Sequence, residues 1–155
     1  MSKRIVITGM GAVSPLSCGV EQIWRRLLDG QSGIRRLPPE LVGDLPITIG
    51  GQVPDRVQDP EVGFDPDQLL AAKEQRKMDR FILFALAAAH EALAQASWSP
   101  TTPEEQERTA TIIASGVGGV HSIAEAVRIT DSKGPRRLSP FTIPSFLSNM
   151  AAGHV

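Results

Sequence analysis

Cysteine occurs once in this chain, at Cys18, so an internal disulfide is excluded and the chain fits a reducing compartment such as the cytoplasm. Neither sign of charge is in excess. Sixteen Lys and Arg stand against 17 Asp and Glu, and the net charge of −1 gives no global reason to expect nucleic acid or an anionic membrane as partner. No apolar run reaches the roughly 18 residues of a membrane span. The start Met-Ser-Lys-Arg meets Ile5-Val6-Ile7 and then Gly9, without the long apolar core of a secretion signal. Histidine is scarce: His90, His121 and His154 are scattered, no Cys or Glu completes a ligand spacing, and no metal site is expected. No internal repeat or low-complexity segment is present. With 41% apolar residues, 155 positions suit one globular domain burying roughly 68–70% of its unfolded surface.

Apolar patterning places the elements. The β-branched run Ile5-Val6-Ile7-Thr8 reads as a buried strand ended by Gly9. Glu21 to Leu28 carries Ile23, Trp24, Leu27 and Leu28 at helical spacing, with Gly30 placed to cap the helix end. Residues 33–68 are rich in Pro, Gly and Asp and predict a long excursion with at most short strands, for example around Ile47-Thr48-Ile49. Ala71 to Ala96 is the clearest helix, with Phe81, Ile82, Ala85, Leu86, Ala89 and Leu93 in one stripe and enough alanine for close packing. Thr101 to Glu107 reads as an acidic loop, and Thr109 to Ser115 as a second buried strand. Gly116 to Gly119 then turns into a helix over Ser122–Ile129. The order strand, helix, strand, helix predicts an α/β fold with parallel pairing.

The last segment, Ser139 to Val155, is proline-punctuated and uncharged as far as Met150. Pro140 and Pro144 predict a shaped loop, and Phe146, Leu147, Met150 and Ala151 a helix after it. A buried loop beside Arg136 and Arg137 is a place where function lodges.

Several residues invite chemistry. Gly9-Met-Gly11-Ala-Val-Ser14 imitates a dinucleotide loop, but Ser14 replaces the third glycine and Pro15 follows, so the glycines read better as a tight strand exit. Cys18 has no local His or Lys to sustain a thiolate. Lys73, Arg76, Lys77 and Arg80 fall on one face of the expected helix, and Lys133, Arg136 and Arg137 form a second basic group. These clusters fit either a local patch for an acidic partner or a solvated helix face balanced by Glu74 and Asp79.

Taken together, the segments resemble a known family. Val6-Ile-Thr-Gly-Met-Gly-Ala-Val-Ser-Pro15, the stretch from Trp24 to Ile34, Lys73-Glu-Gln-Arg-Lys-Met-Asp-Arg-Phe81 and Ser115-Gly-Val-Gly-Gly119 occur in order. Gly134-Pro-Arg-Arg-Leu-Ser-Pro-Phe141 and Asn149-Met-Ala-Ala-Gly153 follow. The set is similar to the elongating β-ketoacyl-acyl-carrier-protein synthases of the thiolase superfamily, especially type II, over essentially the whole sequence.

The resemblance implies a thiolase-like layered α/β fold, here as an incomplete amino-terminal half spanning residues 1–155. It implies a homodimer that needs no cofactor or metal and condenses an acyl group with malonyl-carrier protein. The family's nucleophilic cysteine and two histidines match no position here, so the resemblance implies about the first third of such an enzyme, inactive alone. By resemblance, Lys73, Arg76, Lys77, Arg136 and Arg137 match basic positions facing the acidic carrier protein. Val117 matches an acyl-pocket gate, and Phe141, Thr142 and Ile143 match pocket or interface positions. Thr142 departs from the aromatic residue expected there. A non-catalytic carrier-binding remnant and part of a polyketide ketosynthase are the alternatives.

Overall fold

The computed structural model describes residues 4–155. Helices dominate it. In chain order these are α1 (Val20–Leu28), α2 (Pro39–Val42), α3 (Ala72–Gln75), α4 (Arg80–Ala96), α5 (Pro103–Glu107), α6 (Val120–Lys133), α7 (Thr142–Phe146) and α8 (Met150–His154). Two strands, β1 (Ile34–Arg36) and β2 (Ile49–Gly51), pair antiparallel with Arg35 opposite Gly50.

The expected parallel sheet is not formed among the described residues. Ile5–Thr8 and Thr109–Ser115 are irregular, and Ile5 and Ile112 are 97% and 91% exposed. A β-branched run fits a pleated, half-buried surface, but a strand exists only when a neighbour supplies a hydrogen-bonded ladder. Neither run has such a neighbour among the described residues.

The long helix is also broken, at Arg76–Asp79. The amides of Lys77 and Met78 bond back three residues, to Glu74 and Gln75, and the Asp79 amide leaves the helix for the Ser145 carbonyl at 3.1 Å. Asp79 is extended and opens α4. The stripe predicted for α4 does form the core: Ile82 and Leu86 pack with Ala151 of α8, flanked by Met78, Phe81, Ala85 and Ile113.

α4 is also the bed for the Gly9–Ala12 segment. A Cβ on Gly9 or Gly11 would collide with the carbonyl oxygens of Ala92 and Ala88, so both glycines let the segment lie directly on the helix backbone. Met10 donates to Gln95 Oε1 at 2.6 Å, and Ala12 and Val20 donate to the two oxygens of Glu91 at 2.9 and 2.8 Å. Glu91 thereby serves the amino terminus of α1, where a carboxylate is favoured by the exposed amides and the helix dipole. At the other end of α1, Gly30 is left-handed and donates to Leu27, while Gln31 donates to Arg26, completing a Schellman cap.

The excursion over 33–68 holds the expected short strands, β1 and β2, and also the short helix α2 and a 3-10 turn at Pro66–Gln68, which were not expected. It is tied down by Arg26, whose Nη1 lies 2.6 Å from Asp59 Oδ2 and donates to the Leu16 carbonyl. The Arg26 bond to Asp59 holds the Asp59 carboxyl below its ordinary 3.8. A depressed carboxyl contributes stability that is full above the unfolded value and is lost as pH falls through the folded one. Asp59→Asn should therefore cost about 2 kcal/mol at pH 6. In acid-to-neutral denaturation series, the gap between variant and parent should close below pH 4.

Two further expectations change. Thr101–Glu107 is not a loop: Thr102 and Glu105 form a reciprocal capping box with Pro103 at the first helical position of α5. The terminal helix is two short ones separated at Leu147–Asn149. Pro144 sits inside the first turn of α7, where an amide would have no helical partner anyway. The loop is not deeply buried either, since Ile143 is 57% exposed.

Candidate functional site

The turn between α3 and α4 presents the first basic group. It does not present it on one face. Lys73 and Arg76 are exposed, but Lys77 bonds both Glu74 carboxylate oxygens at 2.7 Å and lies 5.2 Å over the Phe141 ring. Arg80 turns the other way, donating to the Val53 carbonyl at 3.0 Å and covering Phe84. The break at Arg76–Asp79 is the physical reason: helical spacing aligns side chains only within one helix.

The second group follows α6. Gly134 turns the chain into a 3-10 turn at Pro135–Arg137 that leaves Arg136 and Arg137 exposed. Arg76 and Arg137 then line a single cavity of about 260 Å³ with Glu125, Ser139, Phe141 and Thr142 among its walls. A neighbouring hollow is lined by Ile129, Lys133 and Arg137. Two basic clusters remote in sequence thus meet at Arg137. Lys73 and Arg136 line neither hollow.

Beside this surface, the Gly116–Gly119 turn leads into α6. Gly118 has φ 77° and donates to Ser115 Oγ, and a side chain there would strike the Phe146 carbonyl. Gly119 donates to that carbonyl at 3.0 Å. The turn exposes Val117 at 69%, with Ile143 also exposed nearby in sequence to the cavity wall residues Phe141 and Thr142. The cavity therefore gathers Arg76, Arg137, Phe141 and Thr142, and leaves Val117 and Ile143 outside it.

Sequence reasoning missed Asp79, Glu91 and Glu125. Asp79 accepts the Ser122 amide at 2.9 Å and so caps α6 from another helix. Its signal was present, an Asp directly before an apolar helical run. The uninterrupted periodicity from Ala71 hid it. Glu125 reaches the cavity from α6 and lies 3.7 Å from His121.

Cys18 lines a different cavity, of about 280 Å³, with Arg56, Phe64 and Glu91. Burial pushes its thiol above the ordinary 9.0, more than Arg56 lowers it. A thiol kept protonated is a poor nucleophile. Cys18 should react with iodoacetamide at pH 7.5 more slowly than free glutathione; an equal rate would contradict its burial. His90, His121 and His154 lie on α4, α6 and α8, all exposed.

Residues 2–155 match the family model described as the β-ketoacyl synthase N-terminal domain. The chain is 47% identical over 154 residues to 3-oxoacyl-[acyl-carrier-protein] synthase 2 of Rhizobium meliloti, covering 99% of this chain and 36% of that protein. A β-ketoacyl synthase structure from Burkholderia phymatum superimposes with a TM-score of 0.77 at 24% identity, covering 99% of this chain and 36% of the other. A type II polyketide ketosynthase solved in complex with its acyl-carrier protein gives 0.68 at 20% identity, over 99% and 39%. The fold described above is therefore that of one part of a ketosynthase. The chain spans about a third of the length of the relatives it matches. Among the described residues no helix is long and apolar enough to cross a membrane.

Proposed function

The chain belongs to the β-ketoacyl synthase family, and from that premise we propose that it supplies the carrier-protein docking surface and part of the acyl-pocket wall of a fatty-acid-elongating synthase. The reaction of the whole enzyme is the decarboxylative condensation of an acyl group with malonyl-acyl-carrier protein. The observation that carries this reading is the meeting of Arg76 and Arg137 in one cavity, next to Lys133. In a chain of net charge −1, that convergence makes a local positive surface suited to an acidic partner. Lys73 and Arg136, both exposed, extend the docking face. Lys77 contributes by bracing Phe141 rather than by free charge.

Val117, Phe141, Thr142 and Ile143 form the acyl-pocket and interface side. Thr142 stands where an aromatic residue is expected by resemblance, and the shorter side chain favours a roomier pocket. Val117, Val120 and Ile143 are each more than half exposed, which supports burial against a second copy of the enzyme. No residue here is assigned as the nucleophile: Cys18 is half-buried with its thiol pushed above the ordinary 9.0 by desolvation, and the histidines lie on three separate helices. The 47% identity to a 3-oxoacyl-carrier-protein synthase favours fatty-acid elongation over polyketide synthesis.

Titration of the chain with holo-acyl-carrier protein tests the docking reading. Binding should weaken steeply as salt rises from 20 to about 300 mM, because rim charges act through screened steering. Binding that ignores salt, or condensation by these 155 residues alone, contradicts it.

A further inference from the structure

We propose, building on the reading of these residues as part of a condensing enzyme, that Asp79 is a positioning residue that locks the acyl-pocket wall to the carrier-docking turn. Asp79 is 8% exposed and immediately follows Arg76, Lys77 and Met78. Its amide donates to the Ser145 carbonyl at 3.1 Å, and its Oδ2 accepts the Ser122 amide at 2.9 Å. Gly119 presses against it so closely that a Cβ there would stand 2.7 Å from Asp79 Cβ and Oδ2. Three segments therefore meet on one residue: the docking turn, the Val117–Ser122 entry to α6, and α7 with Thr142.

The cost of this arrangement is visible. Asp79 occupies the cap position of α4, yet its side chain makes no bond to that helix. It forgoes the local capping an aspartate ordinarily provides and gives its carboxylate to α6 instead. Ser122 is the third helical residue of α6, one of the amides a helix cannot satisfy by itself. Asp79 thus fixes where Val117 and Thr142 stand relative to Arg76.

Amide hydrogen exchange on the full 155-residue chain reads the lock, using Asp79→Asn, which keeps a carbonyl acceptor for Ser122, and Asp79→Ala, which keeps none. Asp79→Ala should speed exchange across Gly119–Ser122 about fivefold, the scale of one lost cap, while Asp79→Asn stays within about twofold. The Ala12 and Val20 amides, held by Glu91, should not change. No acceleration in the alanine variant, or equal acceleration at both places, overturns the proposal.

Function is read in a graft, with these residues replacing the matching third of the Rhizobium meliloti synthase. Asp79→Ala should flatten its preference among acyl chain lengths, with KM for malonyl-carrier protein held within about twofold and the preference restored by Asp79→Asn. A parallel loss at every chain length indicates a merely structural role and overturns the proposal. An unsubstituted graft without activity counts against the condensing-enzyme reading, and the exchange result then decides Asp79.

Discussion

Gly11→Ala is expected to lift the Gly9–Ala12 segment off α4 at a cost of about 3 kcal/mol, the upper end of overpacking penalties. The added methyl would meet the Ala88 carbonyl oxygen, with the Ala88 carbon at 2.8 Å and the Ala92 nitrogen at 2.9 Å. These are backbone atoms in the middle of a helix, so no rotamer change relieves the clash. α4 cannot retreat either, because Ile82 and Leu86 hold it against α8. The displaced partner is the segment that carries the Ala12 and Val20 amides to Glu91. Their exchange should accelerate roughly a hundredfold, as a local opening of that energy requires. The same substitution at Gly153, where an added Cβ meets nothing within 4 Å, is the control. Gly153→Ala lies in α8 and should be neutral or stabilising by up to about 1 kcal/mol. Equal behaviour of the two variants would contradict the close packing.

The second large effect concerns binding. Reversing Arg76 and Arg137 to glutamate should weaken holo-acyl-carrier-protein binding about a hundredfold at low salt, and the salt dependence should flatten or invert. Removing a rim cation forfeits attraction, and installing a carboxylate adds repulsion toward an acidic partner. Both side chains are exposed and line one hollow, so the two changes act on the same contact surface. Lys77→Glu is a poorer probe. It would place a carboxylate against Glu74 and remove the cation over Phe141, mixing local damage with lost docking. Unchanged affinity in the double variant would move the docking face elsewhere.

Much of this was legible in the sequence because it is local. The α1 helix with Gly30, the apolar stripe of α4, the entry to α6 and the open excursion all follow from spacing and cap residues. The ordered motifs, Lys73 to Phe81 among them, carried the family resemblance, and the family comparison agrees with it. What the sequence hid depends on partners remote along the chain. Ile5–Thr8 and Thr109–Ser115 have strand composition, but pairing is a property of neighbours and not of the run itself. Asp79 looked like one more helical surface residue because the break in the helix is made by Ser145 and Ser122, which lie more than forty positions away. The meeting of Arg76 with Arg137 was implied only by the family resemblance and not by spacing, since it takes the packing of α6 and α7 beside the α3–α4 turn to bring them together. Sequence assigns the glycine pair at Gly9 and Gly11 to a tight strand exit, whereas in the fold the two make room for a helix backbone.

On the proposed function, these residues furnish docking and acyl-wall structure to a condensing enzyme whose nucleophile they do not supply. Malonyl-dependent chain elongation by the graft on the Rhizobium meliloti synthase measures this directly, with the 155-residue chain assayed beside it. The prediction is an active graft, sensitive to salt and to reversal of Arg76 and Arg137, and no turnover by the chain alone. A folded, soluble graft that binds no carrier protein and makes no ketoacyl product would contradict it.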